Sequence, residues 1–126
     1  MVKRHKLFVY GTLRPHAEDK TLWYVPGTAM FNLGRFPAAA ESRYFRVIGN
    51  ILDVDDEELA AFDKYEGVDQ GFYTREEVNC LRVDGEEGIV TAWMYFAGEE
   101  IQAFIAEAKE QGAKLRIPSG DWYEAR

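Results

Sequence analysis

Apolar and polar positions along the chain switch period several times, and each switch predicts an element. Leu7-Phe8-Val9-Tyr10 follows Lys6 as an aromatic, β-branched run, which predicts a strand over 6–10 that ends in a turn at Gly11. Trp23-Tyr24-Val25 and Gly27 to Phe31 read as extended chain broken by Pro26, and Gly34-Arg35-Phe36-Pro37 reads as a turn. Phe45 to Val54 is the next strand. Asp55 then opens a helix as its N-cap, with Glu58 at the capping-box position, Leu59 and Phe62 facing inward, and Gly67 as terminator.

Phe72 to Val83 and Ile89 to Ala97 predict two antiparallel strands joined through Asp84-Gly85 and Gly88. Trp93 and Tyr95 alternate with Ala92, Met94 and Phe96, so both faces of that strand carry apolar bulk. A curved sheet or small barrel, packed inside and covered outside, fits this better than a sheet with one wet face. The clearest helix runs from Glu99 to Gln111, with Ile101, Phe104, Ile105 and Ala108 as its inward stripe and Gly112 at its end. A short strand or turn over 117–122 closes the chain. The fold class is α+β: a strand-rich core with two or three helices outside.

Composition narrows the function. At 126 residues the chain makes one domain, 1–126, large enough for a core without disulfides or metal. A net charge of −7 argues against a nucleic-acid partner, and Lys3-Arg4-His5-Lys6 reads as a solvated leader to the first strand. No apolar run has the length of a membrane span or a secretion signal, and one cysteine suits a reducing compartment, so a cytoplasmic location is expected.

Most catalytic chemistries lack their residues. His5 and His16 are not at paired-ligand spacing, so no metal is expected, and Cys80 lies mid-strand as a buried structural thiol. The glycine-rich turns lack a phosphate-loop lysine, and nothing supports nucleotide binding. Two features remain. Gly11 allows a sharp turn that brings bare N–H groups to the surface, with Arg14 beside it as a cation. Glu66 sits at the end of its helix, where the dipole and burial beside Tyr65 both raise a carboxyl pKa toward that of a general base. An exposed acid on the last helical turn is the alternative reading of Glu66.

In order along the chain, Phe8-Val9-Tyr10-Gly11-Thr12-Leu13-Arg14, Gly34-Arg35-Phe36-Pro37-Ala38, Phe62-Asp63-Lys64-Tyr65-Glu66-Gly67 and Phe72-Tyr73-Thr74-Arg75 resemble the γ-glutamylcyclotransferase-like (AIG2-like) family. Ala92-Trp93-Met94-Tyr95 and Ser119-Gly120-Asp121-Trp122 fit its pattern too. The resemblance implies a small mixed-strand β-barrel flanked by helices, with a cavity at one end. It implies an enzyme that converts a γ-glutamyl amine or γ-glutamyl amino acid to 5-oxoproline and the free amine, without a cofactor. Its catalytic acid/base maps onto Glu66, and its substrate-binding positions onto Tyr10, Gly11, Thr12, Leu13, Arg14 and Tyr73.

One departure stands out: Gly49-Asn50-Ile51-Leu52 occupies the place where many members have Gly-Glu-Leu-Tyr. Arg75 reads equally as a carboxylate clamp or a surface ion pair. The rival function, from another class, is a non-catalytic binding module for a small γ-glutamyl-like metabolite. A related enzyme that cleaves amides of another acyl group is a third. The leaving amine and the oligomeric state stay open.

Overall fold

Strand β1 (Arg4–Val9) runs through the middle of the molecule, antiparallel to β3 (Pro37–Asp55) on one side and parallel to β5 (Ile89–Ala97) on the other. It belongs to a computed structural model that describes residues 3–125. Leu7, Phe8 and Val9 are all buried, as expected of a strand covered on both faces. The two-residue period sorts them: Phe8 joins one apolar core, Leu7 and Val9 the other.

From β1 the sheet continues through β5 to β4 (Tyr73–Arg82) and on to β2 (Trp23–Asn32), which pairs back onto β3. The strands therefore form a ring. β3 closes it because one 19-residue strand serves two partners, Pro37 to Gly49 pairing with β2 and Asn50 to Asp55 with β1. Gly49 marks the changeover, where a Cβ would meet Phe8 Cζ at 2.9 Å and press on the Val9 backbone. A short β6 (Arg116–Ile117) extends the far end of β2, and α3 (Trp122–Ala125) ends the described chain.

Phe8, Met30, Val47, Cys80 and Met94 fill the ring's interior. The second core lies outside it, where Leu7, Val54, Tyr95 and Ala97 meet Leu59 and Phe62 of α1 (Asp56–Tyr65). The apolar bulk on both faces of β5 serves these two cores. Truncating a side chain as buried as Phe8 to Ala would cost about 3–5 kcal/mol.

Three local expectations change. The basic residues Arg4 to Lys6 are not a solvated leader; they pair within β1, where Arg4 faces Asp55, Lys6 binds Asp53 at 3.3 Å and His5 meets Asp56 at 2.5 Å. β2 runs through Pro26, because the register shifts there and a bulge does not need the missing N–H. β3 starts eight residues before Phe45: Ala38 to Ala40 have weak strand propensity, but pairing with β2 overrides it.

Helix α2 (Glu99–Glu110) forms where its periodicity predicts, yet none of its residues is buried. Ile101 is only half-buried against the outer core, and Phe104 is exposed. Its apolar stripe is thus only partly used by the core.

Candidate active site

A cavity of about 810 Å³ opens where the end of β1, the end of α1, the start of β4 and helix α2 converge. Tyr10, Gly11, Thr12, Leu13, Glu66 and Tyr73 all line it. Five of these six come from two loops far apart in sequence, and the ring brings them together.

The loop 10–13 leaves the sheet at the last residue of β1. Tyr10 turns inward, packs beside Phe8 at 6.4 Å between ring centroids, and donates its hydroxyl to the Tyr95 carbonyl at 2.7 Å. Gly11 lies against Pro37, where a Cβ would come within 3.1 Å of the proline ring. The Gly11 carbonyl accepts from the Arg14 N–H at 3.1 Å and from the Tyr123 hydroxyl at 3.1 Å, which pins the turn from behind. The amide N–H groups of Gly11, Thr12 and Leu13 have no protein acceptor among the described residues. Adjacent backbone donors without protein acceptors are the kind of group that can hold an anion.

Glu66 caps the C-terminal end of α1 and its N–H donates to Phe62 O at 2.8 Å. The helix itself begins with the reciprocal capping box, Glu58 N–H to Asp55 at 2.8 Å and Asp55 N–H to Glu58 at 3.0 Å. Directly after Glu66, Gly67 adopts φ +67°, and a Cβ there would lie 2.7 Å from the Phe72 ring. Only glycine turns the chain sharply enough to leave Glu66 at the cavity. Burial pushes the Glu66 carboxyl up to about 7.

Three tyrosines share the cavity with it. Burial raises the Tyr10, Tyr73 and Tyr95 phenols well above their ordinary value, and the nearby Glu66 carboxylate adds to each. They stay neutral at physiological pH. The Tyr73 hydroxyl makes only a long 3.4 Å contact with Pro37 O, so it is the phenol with most capacity left for a ligand.

Arg14 does not reach the cavity. Its Nε donates to Asn50 Oδ1 at 2.9 Å, its Nη1 to Asp121 at 2.7 Å, and the guanidinium lies 4.9 Å from the Tyr123 ring centroid. It ties the loop to β3 and the C-terminal segment. Asn50, whose Nδ2 donates to Thr21 O at 3.0 Å, also lies off the cavity, as does Leu52 in the outer core. The departure at 49–52 is thus away from the cavity wall.

Arg75 makes an ion pair. It grips Asp63 with both prongs and lies 4.4 Å from the Trp93 ring centroid. Tyr95, whose ring lines the cavity, donates its hydroxyl to the same Asp63 at 2.7 Å. Of the two readings of Arg75, the ion pair is the one observed; its partners Asp63 and Tyr95 come together only once β4 and β5 pair beside α1. Among the described residues, no group of three or more His, Cys, Asp and Glu is placed to hold a metal ion. No helix among them is long and apolar enough to cross a membrane.

An α+β ring of strands with a ligand-sized cavity at its end, lined by phenols and a partly desolvated carboxyl, defines the class. The sequence profile described as gamma-glutamyl cyclotransferase, AIG2-like, matches residues 7–124, and the chain belongs to that family. Solved structures agree on the fold. A protein from Arabidopsis thaliana, determined in solution, is 24% identical and superposes with a TM-score of 0.61 over 86% of this chain and 85% of its own. YkqA from Bacillus subtilis is 23% identical, with a TM-score of 0.67 over 97% of this chain but only 40% of its own. A structure named gamma-glutamyl cyclotransferase is 19% identical, with a TM-score of 0.61 over 87% of this chain and 81% of its own. No curated protein sequence matches the chain significantly.

Proposed function

We propose that this protein is a γ-glutamylcyclotransferase-type enzyme that converts a γ-glutamyl amine or γ-glutamyl amino acid to 5-oxoproline and the free amine, with Glu66 as general acid/base. One observation carries the reading: a carboxyl raised to about 7 by burial shares a cavity with three N–H groups that lack protein acceptors. Family membership supports the reaction class.

The substrate's α-ammonium cannot attack its own γ-carbonyl until it loses a proton. Glu66, ionised in about half the molecules near pH 7, accepts that proton. The freed amine adds to the γ-carbonyl carbon and closes a five-membered ring, so nucleophile and electrophile meet without an entropic cost of association. The carbonyl oxygen becomes an oxyanion, which the Gly11, Thr12 and Leu13 amides are suited to hold; one such donor is typically worth about 3–4 kcal/mol. Protonated Glu66 then gives its proton to the departing nitrogen as the amide C–N bond breaks; the carboxylate so regenerated takes the second proton from the ring nitrogen, leaving the neutral lactam, and passes it to the free amine. Tyr73 is suited to anchor the glutamyl α-carboxylate as a neutral donor.

Incubating the protein with a panel of γ-glutamyl compounds and measuring 5-oxoproline by mass spectrometry tests this. Release from at least one member supports the enzyme. Binding without release points instead to the non-catalytic module.

A further inference from the structure

Eight large hydrophobic side chains are exposed among the described residues, and four of them, Phe36, Tyr65, Phe72 and Phe104, line this one cavity. Single exposed hydrophobics are ordinary, but a cluster on a concave surface marks a binding site. The four come from separate elements: the turn between β2 and β3, the last residue of α1, the residue before β4, and the middle of α2. Tyr65 is 78% exposed and Phe104 is 56% exposed, whereas Tyr10, Tyr73 and Tyr95 on the same cavity are buried. The cavity therefore has a phenolic floor and an apolar mouth. From the α2 stripe, Ile101, which also packs against the outer core, and the exposed Phe104 both line the cavity.

We propose that the mouth is a leaving-group subsite, and that the substrates are γ-glutamyl amides whose amine carries a large aromatic or branched aliphatic group. This rests on the γ-glutamyl reading of the floor. A volume of 810 Å³ is in the range of about 300–1,000 Å³ that encloses a whole drug-sized ligand, well beyond a five-carbon acyl group. The glutamyl end is fixed beside Glu66 and the loop, so the remaining volume belongs to the amine. Its charged wall residues are Arg35 and Glu100, opposite in sign and each without a protein partner among the described residues. They leave the mouth without a net preference for a charged side chain. Selectivity then comes from apolar contact and aromatic packing.

The test compares kcat/KM for γ-glutamyl-phenylalanine, γ-glutamyl-leucine, γ-glutamyl-glycine and γ-glutamyl-glutamate, in wild type and in Phe104→Ala and Tyr65→Ala. Both positions are exposed, so truncation spares the core. Wild type is expected to favour phenylalanine over glycine by roughly 10–100-fold, the scale of filling an apolar subsite. Either variant lowers that ratio at least about fivefold. A phenylalanine-to-glycine ratio near one, or a ratio that neither variant moves, overturns the subsite while leaving the Glu66 reading in place. Absence of 5-oxoproline from every compound overturns both. A dimer in solution that Phe104→Ala dissociates would assign the four rings to a second copy of the chain, and also overturns it.

Discussion

Arg75 holds Asp63 with two hydrogen bonds, 2.7 Å from Nε and 3.1 Å from Nη2, one helical turn before Glu66. The pair fastens the end of α1 to β4, and the Tyr95 hydroxyl adds β5 to the same carboxylate. Asp63 thus ties together three elements close to Glu66. It touches no part of the cavity itself.

Replacing Asp63 by Asn keeps the shape but removes the charge that Arg75 faces. Stability is expected to fall by about 1.5–3 kcal/mol, the worth of hydrogen bonds to a charged group in a partly buried setting. If the pair aims Glu66, kcat falls more than KM rises and the Glu66 limb of the pH profile shifts. Denaturant titration with full pH–rate profiles checks this. A stability loss with an unchanged profile would make the pair merely structural.

The pH dependence of turnover follows from the Glu66 carboxyl at about 7. Only its ionised form accepts the amine proton, so kcat/KM should rise with pH up to an apparent value near 7. The limb should be missing from the residual activity of Glu66→Gln. A limb near 4.5, the ordinary value for glutamate, would contradict the desolvated site.

The same raised value makes Glu66 a cost to the fold at high pH. Its folded value lies above the unfolded 4.5, so its contribution is fully present below pH 4.5 and lost as pH rises through about 7. Glutamine does not titrate. The stability of Glu66→Gln relative to wild type should therefore grow by about 2–3 kcal/mol between pH 4.5 and pH 8. Denaturant midpoints for both proteins at the two pH values measure it; a constant difference would contradict it.

Cys80 is fully buried in the ring's interior, and burial pushes its thiol up to about 12. Iodoacetamide at pH 8 should label it only after unfolding, as read by intact mass. Labelling of the native protein would contradict that environment.

Local chemistry was legible in the sequence where a few adjacent residues decide the structure. Asp55 and Glu58 cap α1 as their spacing predicts, Gly67 ends it, and the turn glycines at 85 and 88 place the β4–β5 hairpin. Features that depend on distant partners were not. Ala38 to Glu41 become strand only because β2 lies beside them, and the ion pair open to Arg75 finds Asp63 as its partner only because α1 ends near β4. Arg14, placed among the ligand-binding positions by resemblance, is instead drawn away by Asn50 and Asp121, which lie 36 and 107 residues further on. The stripe of α2 had the right period, but periodicity cannot tell a core from the mouth of a cavity.

The central claim is that one carboxylate moves the proton in both halves of the reaction. Glu66→Gln keeps the size and hydrogen-bonding reach of the side chain but cannot carry a proton at neutral pH. On whichever γ-glutamyl compound wild type turns over, 5-oxoproline release should fall by at least about 10²-fold, the low end for general acid–base catalysis. Calorimetry should show that compound still binding, because the loop amides remain. Release at similar rates from wild type and Glu66→Gln would place the base elsewhere and contradict the account.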